Sequence, residues 1–168
     1  EAGNVISASA QAAVRLDFAG TGNRVLGNSI GTDKDETDLL PNDIGVQLTG
    51  TNKTVVGSAV PPIGNVIAGS TEAGIVLDGG SDTNTFAGNF VGTDRTDTAG
   101  FGNVDGMRFQ GAGGSDNVIG PTNVFAHSID RGIEMMTGTG NRISASTFHD
   151  NGNDAIFLNE AANHNEEA

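Results

Sequence analysis

Two acidic runs hold the densest groups of hard oxygen donors in the chain. One is GNSIGTDKDETD (27–38), with Asp33, Asp35 and Asp38; the other is GNFVGTDRTDT (88–98), with Asp94 and Asp97. Carboxylates at such spacing can surround a calcium ion. The EF-hand loop, however, needs Gly at its sixth position and Glu at its twelfth. Counted from Asp33, those places hold Asp38 and Ile44. The glycine-rich calcium nonapeptide is missing too. The five aspartates therefore stand as calcium candidates without a named motif. The competing reading is a solvated loop in which an aspartate caps a corner. A phosphate cradle does not fit, because the run is acidic and lacks the lysine and the following helix. No other cofactor is indicated.

The elements that carry these runs follow from composition and repetition. A net charge of −13 over 168 residues argues against nucleic acid and anionic membranes as partners. No apolar run approaches the ~20 residues of a membrane span. The absence of cysteine excludes disulfides and thiolate metal sites. The N-terminal EAGNVISAS has neither the basic nor the apolar region of a signal peptide. Gly is 26 of 168, Trp and Tyr are absent, and no window shows a 3.6-residue period. Such a chain reads as short strands joined by tight Gly and Asn turns.

A shift of 61 residues lays Gly3 on Gly64, Gly27 on Gly88 and Gly45 on Gly106, with the surrounding sequence matching. Inside this long unit lie three shorter columns. The first is Asn-led: Asn4-Ile6, Asn28-Ile30, Asn65-Ile67, Asn89-Val91, Asn123-Phe125 and, more weakly, Ser146-Phe148. The second is apolar-x-apolar: Val14-Leu16, Val46-Leu48, Ile75-Leu77, Met107-Phe109, Ile133-Met135 and Ile156-Leu158. The third is again Asn-led: Asn23-Val25, Asn52 with Val55, Asn84-Phe86, Asn117-Ile119 and Asn141-Ile143. Three strands per turn over about six turns predict an all-β fold, a right-handed parallel β-helix, that is, a three-sided β-solenoid. One turn cannot bury its apolar face, but stacked turns can. The asparagines should form ladders, since Asn tolerates left-handed corners and stacked amides bond to one another. Residues 1–160 are expected to form this single domain, with 161–168 a polar tail. With no capping helix at either end, the chain reads as a segment of a larger protein or a subunit that stacks end to end.

The GN-x-I-GTD units, each followed by a Thr-containing loop and GN…G-[VI]-x-L, resemble the right-handed parallel β-helix repeats of bacterial extracellular and surface proteins in the pectate-lyase-like superfamily. The resemblance covers almost the whole chain. It implies the fold directly, and an activity only weakly, because this architecture serves lyases, hydrolases, epimerases, adhesins and stalks. In the enzymes of this superfamily the sheet matching the second column often forms the substrate groove. Its outward residues here are Arg15, Gln47, Val76, Arg108, Glu134 and Phe157. Arg15 and Arg108 could neutralise a uronate, and Glu134 could act as acid or base. The competing reading for Arg108 and Glu134 is an ordinary cross-strand ion pair. The catalytic motifs of polygalacturonases, pectate lyases and alginate epimerases are not found, and no Trp or Tyr offers a stacking platform for sugar.

Aligning Phe125 on Phe148 sets His149 beside Ala126 and Asp150 beside His127, so a His127–Asp150 contact is expected, as a surface contact before a catalytic dyad. His164 falls in the tail, and no Ser-His-Asp or zinc spacing is recognisable. The first column is oddly apolar on its outward side, at Val5, Val66, Phe90 and Val124. The long connections 31–43 and 92–104, which carry Leu39, Leu40 and Phe101, are expected to fold back over part of it; the competing reading is an exposed apolar stripe that serves as an assembly surface. The sequence thus predicts a non-catalytic structural or adhesive module of a bacterial extracellular or surface protein, with polysaccharide or further copies of itself as partners. The alternatives are a carbohydrate-active β-helix and a filament subunit.

Overall fold

The computed structural model describes residues 3–60, 63–160 and 162. They form three sheets in which every strand pair is parallel. The first sheet stacks Val5–Ile6, Ser29–Ile30, Val66–Ile67, Phe90–Val91, Val124–Ala126 and Thr147–His149. The second stacks Ala12–Asp17, Ile44–Thr49, Ala73–Asp78, Asp105–Phe109, Ile133–Met135 and Ile156–Leu158. The third stacks Arg24–Val25, Val55–Gly57, Thr85–Ala87, Val118–Ile119 and Arg142–Ile143. The chain visits the sheets in rotation, which makes a three-sided parallel β-helix. Its six turns rise about 30 Å at ~4.8 Å per turn. No helix is long and apolar enough to cross a membrane among the described residues.

The interior is made of like side chains laid on one another. Ile6, Ile30, Ile67, Val91, Phe125 and Phe148 are successive partners in the first sheet. Leu16, Leu48, Leu77, Phe109, Met135 and Leu158 do the same in the second. The buried members belong to one continuous cluster, joined by Ala162 from the segment read as tail. The other residues of 161–168, His164 among them, lie outside the described residues. Each fully buried aliphatic or aromatic side chain contributes on the order of 2 kcal/mol, and Phe125 stacks on Phe148 at 5.2 Å.

Asparagine ladders run beside this core. In the first column each Nδ2 donates to the next Oδ1, from Asn4 to Asn28 (2.9 Å), Asn65 (3.0 Å), Asn89 (2.9 Å) and Asn123 (3.1 Å). The third column departs from expectation at one turn. Val25 pairs with Val56, not Val55, and Thr54 takes the ladder place: its amide donates to Asn84 Oδ1 at 2.8 Å. Lys53 turns the corner there with φ 51°, so the strand is counted from Thr54 and not from Asn52. A further ladder was not foreseen. At the corner between first and second sheets, Asn42, Asn103 and Asn151 alternate with Ser9, Ser70 and Ser128. Each Oδ1 accepts the serine amide (2.9, 2.8 and 3.0 Å), and each Nδ2 donates to a carbonyl of the first sheet.

The long connections close on themselves through the bridges Thr32↔Leu39 and Thr93↔Gly100. They do cover the middle of the first sheet, though the cover is polar. Glu36 accepts from Ser29 Oγ (2.7 Å) and from Arg95 Nε (2.9 Å), and Arg95 donates on to the Gly64 carbonyl. Beneath this pair Val66 is buried and Phe90 is half-buried, whereas Val5 at the first turn stays exposed. Leu39 and Leu40, expected to supply the cover, remain exposed.

Candidate functional site

Asp33 and Asp94 occupy the same place in the two long loops, and each serves its own backbone. Asp33 accepts from the amides of Thr37 (2.7 Å) and Asp38 (3.0 Å) and from Thr37 Oγ1 (3.1 Å). The bond from the Asp38 amide, then that from Thr37, lowers its pKa. Asp94 accepts from the amides of Thr96 (3.1 Å) and Thr98 (3.0 Å). Burial is the largest single influence on Asp94 and opposes its charge, but the bonds from Thr98 and Thr96 prevail and its pKa falls. Asp35 pairs with Lys34 in solvent, and Asp38 is exposed. Among the described residues, no three of the calcium candidates offer ligand atoms within 4.8 Å of one another. Asp33 and Asp94 are thus placed as loop-capping aspartates.

On the second sheet the register brings Arg108 beside Glu134. Gly106 and Gly132 point inward, where a Cβ on either would press on the Phe125 or Phe148 ring at 3.1 Å. That turn of the backbone leaves the residues before them, Asp105 and Arg131, on the outer face with Arg108 and Glu134. Arg108 bonds the buried Asp105, Glu72 (3.1 Å) and Glu134 (3.2 Å). Arg131 bonds Glu134 (2.6 Å) and Asp130 (3.2 Å), and lies 4.4 Å from the Phe157 ring centre. Burial opposes the charge on Arg108, but its bond to Asp105 and the nearby carboxylates outweigh this and raise its pKa. Arg15 is not part of the group: it pairs with Asp17 at 3.2 Å, three turns away from Arg108. A separate, mostly apolar cleft of about 240 Å³, which motif reading did not find, lies where the first and third sheets meet, between Phe90, Arg95, Ser58 and Thr122.

The third group is at the corner where the first sheet gives way to the second in the last two turns. His149 pairs with Ala126 as expected. His127 and Asp150 are brought together as expected, with ligand atoms within 4.8 Å of each other, but the hydrogen bond to Asp150 comes from His149, whose Nδ1 lies 2.8 Å from Asp150 Oδ2. His149 Nε2 lies 3.0 Å from Asp97, which reaches down from the second long loop. His127 meets the His149 ring edge-on at 5.4 Å. The bond to Asp150 is the main cause of a raised His149 pKa; burial opposes it and Asp97 adds to it. The same bond lowers the pKa of Asp150. His127, His149 and Asp150 form the one group of three or more potential ligands within 4.8 Å among the described residues. Adjacency of turns made the His127 and Asp150 placement readable; Asp97 is brought in by loop folding, for which the sequence carries no spacing signal.

Comparison with protein-family models, with curated proteins and with solved structures gives no match for this chain. Chemically, the second sheet offers a carboxylate held between two guanidinium groups, and the histidine corner offers nitrogen and oxygen donors together.

Proposed function

We propose that the chain is a non-catalytic structural or adhesive β-solenoid module, of the pectate-lyase-like type, from a bacterial extracellular or surface protein. Its role is to present a stiff, acidic lateral surface, with polysaccharide, or further copies of itself stacked end to end, as partners. The observation that carries this reading is the saturation of Arg108. Its guanidinium already holds Asp105, Glu72 and Glu134, so it is poorly placed to meet a substrate carboxylate. A half-buried guanidinium tied to carboxylates positions strands, and removing it strands their charge.

The carbohydrate-active alternative rests on Glu134, held between Arg108 and Arg131. One experiment separates the two. The chain is incubated with uronate-containing and neutral polysaccharides, and released reducing ends and unsaturated products are measured. The scaffold reading expects no release, together with a lower melting temperature for Arg108→Ala. Turnover that disappears in Glu134→Gln, with the fold intact, would overturn it in favour of the enzyme. The filament reading is favoured by Ile156 and Leu158, which continue the interior columns yet stay exposed.

A further inference from the structure

The two long loops are copies, but they do different things. Glu36 and Asp97 occupy equivalent places, both with left-handed backbones at φ 57° and 56°. Glu36 is used in the loop-to-loop pair with Arg95. Asp97 instead reaches His149. A second exchange accompanies this one. In the first copy Leu39 sits against Gly69, where a Cβ would come within 2.7 Å of Leu39 Cδ2. In the second copy the leucine is Gly100 and the glycine is His127, and a Cβ on Gly100 would already touch the imidazole at 3.5 Å. Small and large have changed places, so the loop opens just enough to seat a histidine. The first copy builds the same loop without any of these groups, so the fold does not need them.

Parallel stacking supplies the rest of the geometry. The His127 amide donates to the His149 carbonyl at 3.3 Å, which sets His127 over Asp150 at the usual ~4.8 Å step. Both turn the corner left-handed, at φ 55° and 53°. The ligand atoms of His127, His149 and Asp150 all lie within 4.8 Å of one another. Small side-chain rotations bring such atoms to the ~2.0–2.1 Å bonds of a zinc-like ion. His149 has a defined orientation: Nδ1 faces Asp150 and Nε2 faces Asp97, at 3.0 and 3.2 Å from its two oxygens. A metal-bound imidazole characteristically donates its other N–H to a carboxylate, which fixes the ring.

We propose that His127, His149 through Nδ1, and Asp150 form a binding site for a divalent transition-metal ion of the zinc type, with Asp97 positioning the His149 ring. Two imidazoles and one carboxylate select zinc, cobalt, nickel or copper over calcium and magnesium, which take oxygen donors. Three protein ligands leave a further position for water or an outside donor. The half-buried His149 and exposed Asp150 give that position access to solvent.

The test is isothermal titration of the whole chain with zinc chloride, and absorption spectroscopy with cobalt chloride. Expected are one zinc equivalent reversed by EDTA, visible cobalt bands and no displacement by millimolar calcium. His127→Gln and His149→Gln should each weaken zinc binding at least tenfold, and His164→Gln should leave it unchanged. Asp97→Asn should keep the stoichiometry, shift the cobalt spectrum and weaken binding roughly ten- to a hundredfold. NMR of the unmodified chain gives a reading that does not depend on variants folding: zinc should perturb the His127 and His149 ring signals and spare His164. No zinc uptake at millimolar concentration, displacement by calcium, or equal affinity in the His127→Gln/His149→Gln double variant overturns the proposal.

Discussion

Asn65 shows how one side chain can hold four strands. Its Oδ1 accepts from the amide and the Nδ2 of Asn28, both at 3.0 Å, and its Nδ2 donates to Asn89 Oδ1 (2.9 Å) and to the Val25 carbonyl (2.8 Å). The residue is fully buried, so water cannot replace a lost partner. Asn65→Ala should therefore cost about 3 kcal/mol, from several buried groups left unpaired, read as a lower urea midpoint. Asn4, at the partly exposed first turn, should cost less when truncated. Asp33 works on the same principle in solvent, and there the effect is set by pH. Its folded pKa is depressed, chiefly by the Asp38 amide bond. The stabilisation is therefore present above the ordinary carboxylate range, about 4, and lost as pH falls through the lower folded value. Thr37 and Asp38 amides should lose hydrogen-exchange protection under those acid conditions while the ladder amides keep theirs. Unchanged Thr37 and Asp38 protection down to the lowest pH at which the fold survives would show that the cap does not hold the loop.

At the level of elements, the two long loops are fastened to each other as well as to the sheet. Glu36 and Arg95 meet at 2.9 Å with both side chains largely sheltered. Glu36→Gln or Arg95→Ala should loosen both loops for ~1 kcal/mol without moving the core. Hydrogen exchange should speed up in 31–43 and 92–104 together in either variant; a change confined to one loop would show that the pair is not their fastener. How far such elements can be read from sequence depends on whether stacking copies a residue type from turn to turn. The first two columns, their register and the pairing of Arg108 with Glu134 were legible because each turn repeats an Asn-x-apolar pattern in the first and an apolar-x-apolar pattern in the second. The third column failed at Thr54, where a threonine does an asparagine's work and Asn52 in the corner imitated the missing ladder residue. The Asn42, Asn103 and Asn151 ladder was obscured by its alternation with serine, although PND (41–43), GNVD (102–105) and DNG (150–152) carry it. The Asp97–His149 contact was illegible for another reason: it depends on a loop crossing turns, and no column records that.

Across the whole molecule, a poorly covered strand among the described turns is Ile156–Leu158. A solenoid gains stability from each interface between turns, and a turn covered on one side has only one. Ile156 and Leu158 lie over Ile133 and Met135, yet they remain 39% and 49% exposed, where their partners are buried. Strand edges of this kind pair with another edge unless something opposes them. Here the opposing force is charge. At −13, two copies approaching end to end repel, and that repulsion is screened over ~30 Å at 0.01 M salt but over ~8 Å at 0.15 M. Apolar contact acts only at the surface, so salt weakens the repulsion and leaves the attraction. Light scattering should thus show a single small species at low salt and growing particles as salt and protein concentration rise together. Leu158→Glu, which places a carboxylate on the end of the column, should suppress the growth at every salt concentration. A wild-type chain that stays monomeric at millimolar protein and 0.5 M salt would remove end-to-end assembly as a role for this surface.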